Sequence, residues 1–141
     1  YGLGTALLVP LLTAACDTSA PSSRDSELGP VFEAIYAVAM PAGIAEELAD
    51  NCPSLTYDKA RYDSELDGVV QALKDRGFTD ERIKADVAQV NQSALSRRAR
   101  ADEAAYIEEN GIVFAEPETV CRAGQSEIAE GSAVGAFLSE S

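Results

Sequence analysis

The spacing of apolar residues is the feature that most restricts the fold of this chain. Over residues 58–76 the apolar positions follow the i, i+4, i+7, i+8, i+11 pattern of a helix with one buried face. These positions are Tyr62, Leu66, Val69, Val70 and Leu73. No segment shows a convincing alternation of apolar and polar residues, which is the pattern of a half-buried strand. The sequence therefore predicts an all-α fold, a small irregular bundle of about five to six short helices.

Prolines, glycines and capping residues predict where the first helices begin and end. The first helix is expected over 28–50, and Pro41 should end or kink it. Pro53 stops the continuation of that helix, and Gly77 is suited to end the second one. Thr79 is a natural N-cap for a third helix.

The C-terminal part of the chain predicts three more helical segments. A solvated helix is expected over 93–110, and Pro117 can occupy the first turn of the next helix. Gly131 and Ser132 break that helix. A last short helix is then expected over 134–138.

The N-terminal stretch has the character of an export segment. Residues 3–15 are uncharged and end in small side chains. This run of 13 residues is shorter than the roughly 20 apolar residues of a spanning helix and fits the apolar region of a signal peptide. The sequence Leu-Thr-Ala-Ala-Cys, which ends at Cys16, resembles a bacterial lipobox, in which the cysteine carries lipid. We therefore predict a signal or anchor segment over 1–15 and lipidation of Cys16.

Two alternatives remain for this stretch. It can be an ordinary signal peptide cut near Ala15, or an uncleaved short membrane anchor. A polar stretch rich in Ser and Pro follows Cys16, which predicts a tether over 16–29 and leaves 30–141 as the helical domain. On this interpretation the protein is periplasmic and is held at the membrane by its N-terminal segment or by lipid.

Export makes the cysteines informative, because an oxidising compartment favours disulfides. The chain has three cysteines, and Cys16 lies in the export region, which leaves Cys52 and Cys121 as the candidate pair. A bond between them would close a loop of about 70 residues and stabilise the fold by roughly 4 kcal/mol in the chain-entropy model. The alternative is two separate buried thiols.

The charge balance restricts the partners of the protein. Eleven Lys and Arg against 24 Asp and Glu give a net charge of -13. A nucleic-acid-binding protein needs cations to displace counterions from phosphates, so we expect no nucleic-acid partner. The chain has no His, which removes the usual general base and the usual neutral metal ligand. We therefore expect neither a metal site nor a cofactor.

The motifs that suggest catalysis or calcium binding are incomplete. The stretch Asp63-x-Glu65-x-Asp67-Gly68 resembles the start of an EF-hand loop, but Lys74 stands where the bidentate Glu is needed. A serine nucleophile would lack an activating His, and the sequence has no C-x-x-C motif. The sequence therefore predicts a protein that is not an enzyme.

Two residue groups each allow a functional and a structural interpretation. Arg97, Arg98 and Arg100 can bind an acidic partner or lipid head group, or can pair along an exposed helix, Arg98 with Asp102. We favour the ion pairs. Three glycines can mark either a ligand-approach surface or close helix packing, and we favour packing: Gly124, Gly131 and Gly135.

A spaced motif near the C-terminus is the most distinctive part of the sequence. Its members are Cys121, Gly124, Glu127, Ile128, Gly131, Ser132, Gly135 and Leu138. The pair Cys52-Pro53 and the turn Gly77-Phe78-Thr79 accompany it upstream. Together these features resemble a family of small exported alphaproteobacterial proteins of unknown function, over about 44–138. The resemblance implies a helical fold and the cysteine pair, and it implies no activity.

The segment 31–40 is a candidate partner-binding element. It has one charged residue in ten, and its apolar residues cover more than one helical face. A helix that is apolar nearly all round must be buried somewhere. We predict that Phe32, Ile35 and Tyr36 dock on a partner protein or on the membrane interface. The alternative is that the segment completes the domain's own core.

Two functions fit these features. The leading hypothesis is a non-enzymatic periplasmic accessory subunit, tethered to the membrane and bound to a protein partner. The second is a periplasmic acid-stress holdase, since protonation of the 24 carboxylates at low pH would loosen the fold.

Overall fold

A computed structural model describes residues 28–141. The predicted signal or anchor segment over 1–15, the lipidation of Cys16 and nearly all of the tether lie outside the described residues. No helix within 28–141 has the length and apolar character needed to cross a membrane.

Five α-helices form the domain. They are α1 (Pro30–Asn51), α2 (Lys59–Asp75), α3 (Asp80–Ala88), α4 (Gln92–Glu109) and α5 (Pro117–Glu130). A 3-10 turn, Gly135–Phe137, follows α5. The strands β1 (Leu55–Tyr57) and β2 (Leu138–Glu140) complete the described chain. The all-α prediction is confirmed, with a minor two-stranded sheet added.

The first helix corrects the expectation for Pro41. α1 runs without a break from Pro30 to Asn51 and contains Pro41 in its interior. An interior proline costs roughly 3 kcal/mol or more through a lost hydrogen bond and a ring clash. Buried residues on both sides, Tyr36 before the proline and Leu48 after it, favour one continuous helix. The helix ends before Cys52-Pro53, as predicted.

Side-chain caps set the starts of the middle helices. Asp58 accepts a hydrogen bond from the backbone N–H of Arg61 at the start of α2. Thr79 accepts from the N–H of Arg82, which confirms it as the N-cap of α3. Asn91 caps α4 in the same way. Each cap satisfies an N–H group that has no partner within its own helix.

The small sheet joins distant parts of the chain. β1 and β2 are antiparallel, with Leu55 opposite Glu140 and Tyr57 opposite Leu138. The expected last helix over 134–138 is present only as the 3-10 turn Gly135–Phe137. Its last residue, Leu138, is instead the first residue of β2, because its extended backbone pairs with β1.

Two apolar clusters hold the elements together. The main core lies among the second half of α1, the sheet, α5 and the C-terminal turn, with Leu48, Cys52 and Val120 almost completely buried. The second cluster is built on Val31, Leu73 and Ile83, from α1, α2 and α3. α1 is therefore the central helix, since it contributes to both clusters.

The disulfide closes the main core. Cys52 and Cys121 are bonded, with a Cα–Cα distance of 5.2 Å and 69 positions between them in sequence. The bond ties the end of α1 to the first turns of α5. The predicted pairing is confirmed.

The glycines of the C-terminal motif allow close packing. A Cβ at Gly135 would overlap the backbone carbonyl of Glu127, and one at Gly124 would overlap the side chain of Leu55. Gly131 ends α5 in the left-handed conformation, φ 63°. The structure therefore supports the packing interpretation for Gly124 and Gly135, whereas Gly131 serves to end α5.

Candidate partner-binding groove

An apolar groove of about 230 Å³ lies between α1 and α4. An apolar cavity of about 150 Å³ can hold a benzene molecule, so this groove has room for one or two large apolar side chains. Drug-sized ligands and cofactors usually occupy about 300–1,000 Å³. The groove is therefore smaller than the usual site for a drug-sized ligand or a cofactor.

Three elements line the groove. α1 contributes Ala39, Met40, Gly43, Ile44, Glu47 and Leu48. α4 contributes Ala99, Glu103, Tyr106 and Ile107, and the turn after α4 contributes Ile112 and Phe114. Leu48 and Ile112 are buried and join the groove to the main core, whereas Glu47 and Glu103 are exposed, one on each helix. The groove thus has an apolar floor and a carboxylate on each wall.

The turn that carries Phe114 is held by hydrogen bonds. Thr119 Oγ1 accepts from the N–H of Val113 at 2.8 Å and lies 3.1 Å from the Val113 carbonyl oxygen. The N–H of Glu116 donates to the carbonyl of Val113 at 2.7 Å. Phe114 is nevertheless 38% exposed, and Val113 is 46% exposed. The ordered turn thus holds a large apolar side chain partly in water.

α4 is attached to the domain by polar contacts and by Tyr106 and Ile107, which pack against the main core half-buried. Its single buried residue is Ala94, near its start. Two polar groups hold the rest of the helix: the Arg98 cluster, made of Glu33, Tyr36, Arg98 and Asp102, and the Tyr106 cluster, made of Tyr106, Glu127 and Ser132. The position of the α4 wall of the groove therefore depends on these two clusters.

The Arg98 cluster joins α4 to the first half of α1. Arg98 donates to Glu33 at 2.5 Å and lies 3.6 Å from Asp102. Its guanidinium also stacks over the ring of Tyr36, 4.3 Å from the ring centroid. The hydroxyl of Tyr36 donates to Asp102 at 2.8 Å. One cation and one phenol thus connect two carboxylates that lie on different helices.

The Tyr106 cluster joins α4 to α5. The hydroxyl of Tyr106 donates to Glu127 at 2.9 Å, and Ser132 donates to the same carboxylate. The N–H of Gly135 donates to Ser132 Oγ at 2.9 Å. These bonds link the groove to the C-terminal turn and the main core.

Burial and the neighbouring carboxylates change the acidity of both phenols. Burial raises the pKa of Tyr36, and the hydrogen bond to Asp102 raises it further. Burial likewise raises the pKa of Tyr106, with the bond to Glu127 as the second cause. The hydrogen bond to Glu33 raises the pKa of Arg98. The two phenols therefore stay neutral donors, and Arg98 stays charged, at neutral pH.

The residues predicted to dock on a partner have internal packing roles. Tyr36 is buried beneath Arg98, and Ile35 packs against the second cluster. Phe32 is half-buried, with its ring 6.3 Å from that of Tyr36. This arrangement is the alternative that the sequence allowed, and docking through these three side chains stays a prediction. Only the end of the same segment, at Ala39 and Met40, reaches the groove.

The other candidate residues lie on solvated helix faces. Asp63 and Glu65 pair with Lys59 and Arg61 one turn earlier on α2, which is the behaviour of an exposed helix face. The predicted pair of Arg98 with Asp102 is present, and Arg98 also reaches Glu33. Across the described part of the chain, no group of His, Cys, Asp and Glu side chains is placed to hold a metal ion.

Sequence reasoning missed the groove itself. Met40, Ile44 and Phe114 come from segments about 70 residues apart, so helical spacing within one segment does not bring them together. One signal was available. The apolar run that ends at Phe114 follows Gly111 and precedes Pro117, a placement that indicates a short turn displaying apolar residues.

Comparison with known proteins places the chain in a family without assigning an activity. No curated protein matches the chain, and no solved structure matches it. A family model described as a family of unknown function, DUF5333, matches residues 31–139, which include every helix wall and turn of the groove. The chain therefore belongs to this family of unknown function, DUF5333.

Proposed function

We propose that the protein is a non-enzymatic, exported interaction domain, tethered to the membrane by its N-terminal region, that binds a partner protein through the groove between α1 and α4. The observation that carries this proposal is the apolar groove beside Phe114. A contiguous exposed apolar surface rimmed by polar groups is typical of a protein-binding site. The volume of the groove fits inserted side chains better than a cofactor.

Export is supported by two independent features. The uncharged stretch over 3–15 and the lipobox-like sequence at Cys16 favour passage to the periplasm and attachment to the membrane. The disulfide between Cys52 and Cys121 favours an oxidising compartment. If Cys16 carries lipid, Cys16→Ser should move the protein from the membrane fraction to the soluble fraction.

The mostly apolar lining of the groove supports a binding role. Its lining has no Ser, Thr, Cys or Lys that could act as a nucleophile. The Tyr106 hydroxyl is hydrogen-bonded to Glu127. Interaction through apolar side chains is the chemistry that this lining supports best.

Site-specific photo-crosslinking tests the proposal. A photoreactive amino acid at Phe114 in the full-length chain, expressed in its native host, should give one discrete adduct. Val87 on α3 is the matched control, because it is an apolar residue of similar exposure, 37% against 38%. Gly43→Leu should remove the adduct, since the new side chain enters open space in the groove. Equal adducts from both positions, or an adduct that survives Gly43→Leu, would contradict the proposal.

A second candidate, the acid-stress holdase, is favoured by the way α4 is attached. Glu33, Asp102 and Glu127 accept hydrogen bonds that help to hold this helix, so its attachment depends on carboxylates. Release of α4 would expose the groove floor to unfolded clients. A holdase should suppress the aggregation of several unrelated proteins at low pH. A domain that binds one fixed partner should suppress none of them.

A further inference from the structure

The charges around the groove indicate which kind of partner segment it takes. The two long stretches that supply most of its lining, 28–58 and 101–121, contain no Lys or Arg. They contain eleven acidic residues, five in the first stretch and six in the second: Glu33, Glu46, Glu47, Asp50 and Asp58, then Asp102, Glu103, Glu108, Glu109, Glu116 and Glu118. All eleven Lys and Arg residues lie outside these stretches, most of them on α2, on α3 and in the first half of α4, where Arg98 and Arg100 flank the lining residue Ala99.

Two of these carboxylates stand on the walls above the apolar floor. Glu47 and Glu103 themselves line the groove, and both are exposed. Asymmetric charge next to a low-dielectric cleft concentrates the field in the cleft and speeds the approach of oppositely charged partners. An anionic lipid surface or an acidic peptide would be repelled there.

We infer that the groove binds an amphipathic helix of a partner protein, with one or two large apolar side chains on the floor and Lys or Arg residues facing Glu47 and Glu103. In this binding mode, anchors spaced at i, i+3 or i+4 enter an apolar groove between helices. The inference rests on the proposed function and names the chemistry of the partner.

Gly43 is the position where the inference can be tested most directly. This glycine lies inside α1 and lines the groove, and a Cβ placed on it meets no atom within 4 Å. Leu at this position would occupy the groove without displacing a neighbour, and it is a better helix former than Gly. Gly68 in α2 is the matched control, because it is also helical, with open space around its Cβ, and lies outside the groove lining.

The probes are three synthetic peptides of 18 residues. The first is an amphipathic helix with Leu on one face and Lys on the flanks. The second has the same composition in scrambled order, and the third replaces every Lys with Glu. Binding to the purified full-length chain and its variants is measured by calorimetry at two salt concentrations.

We expect the Lys-flanked helix to bind the parent chain and Gly68→Leu equally, and to bind Gly43→Leu at least about 30-fold more weakly, as for loss of a hot spot. The change Glu47→Lys with Glu103→Lys should weaken binding about tenfold and reduce its salt dependence. The pair Glu65→Lys with Glu81→Lys, with the same charge change on α2 and α3, should alter binding far less.

Several outcomes would overturn the inference. Equal binding to Gly43→Leu would show that the peptide adheres by charge elsewhere on the surface. If the scrambled peptide binds as tightly as the first peptide, the partner segment need not be an amphipathic helix. If the Glu-flanked peptide binds as tightly as the first, the partner segment need not be basic. If crosslinking from Phe114 captures a groove-dependent partner whose contacting segment is acidic, this inference fails while the proposed function stands. Absence of any groove-dependent adduct would contradict both this inference and the proposed function.

Discussion

The contact between α1 and α5 and the attachment of α4 show two ways of holding helices together in one small domain. α5 buries Val120 and Ala123 in the main core and is bonded to α1 through Cys52 and Cys121. α4 fully buries only Ala94, packs Tyr106 and Ile107 half-buried against the main core, and is also held by the Arg98 and Tyr106 clusters. Apolar burial contributes roughly 25 cal/mol per Å², whereas exposed ion pairs contribute about 0–1 kcal/mol each. The difference predicts a rigid frame formed by α1 and α5 with α4 as the more adjustable wall of the groove.

This contrast has a consequence for binding. A groove with one fixed wall and one weakly held wall can adjust its width to an incoming helix without disturbing the main core. Regions that bind ligands are often drawn from the less stable parts of a structure. If the two walls are held this differently, changes to the frame of α1 and α5 and changes to the attachment of α4 should affect stability by different amounts.

Removal of the disulfide should lower the free energy of unfolding most, because the bond joins α1 to α5 in the frame. The double change Cys52→Ala with Cys121→Ala opens a loop closed across 69 positions. We expect the free energy of unfolding to fall by about 2–5 kcal/mol in urea denaturation at neutral pH. The control is the parent chain in reductant, whose free energy of unfolding should fall by a similar amount once the disulfide is broken. A loss below about 1 kcal/mol would mean that apolar burial alone holds α1 to α5.

Loss of Arg98 should loosen α4 and leave the frame unchanged. Arg98→Met removes the contacts to Glu33 and Asp102 while keeping much of the side-chain length. We expect the free energy of unfolding to fall by about 1 kcal/mol. Amide hydrogen exchange should become faster in α4 and stay unchanged in α5. Arg61→Met is the control, because its pair with Glu65 lies within one exposed helix face. Equal acceleration of exchange in α4 and α5 would show that the two walls unfold as one unit.

Alkaline pH should produce the smallest change in stability. The phenols of Tyr36 and Tyr106 determine whether stability rises or falls. Burial and carboxylate hydrogen bonds raise the pKa of Tyr36 and Tyr106 above the ordinary value near 10. A group whose folded pKa is raised contributes its full stability below the unfolded pKa, and loses that contribution as pH rises through the folded pKa. We therefore expect stability to fall above about pH 10, where the unfolded chain loses these protons first.

The double change Tyr36→Phe with Tyr106→Phe isolates this effect. Between pH 9 and pH 11 the melting temperature of the variant should fall less steeply than that of the parent, since other groups titrate in both chains. Both changes act on the attachment of α4, so they should leave the main core packed. Identical slopes for the two chains would mean that the phenols do not couple to folding.

Helix ends were predictable where a local side chain or ring decides them. Thr79 caps α3, and Pro117 begins α5, because both act on backbone groups within one turn. Pro41 was misjudged for the same reason. Its local penalty is real, but apolar residues far from it in sequence bury the helix on both sides.

The sequence pattern does not predict the groove. Phe32, Ile35 and Tyr36 stand out because they are apolar and adjacent, yet Ile35 and Tyr36 are packed inside the domain. Phe114 belongs to a short apolar run for which the sequence pattern indicates no role, yet it is exposed beside the groove. Apolar density predicts burial, whereas a binding surface depends on which apolar residues are left uncovered.

The sequence by itself determined the helical class, the Thr79 cap and the disulfide, because these depend on side-chain spacing, on backbone groups one turn away, and on a cysteine pair. Tertiary structure alone decided three things. It paired Leu55–Tyr57 with Leu138–Glu140, carried α1 through Pro41, and set Ile44 and Phe114 on one groove. The physical reason is shared: these outcomes depend on contacts between residues far apart in the chain. Such contacts form only when the helices pack together, and no local preference encodes them.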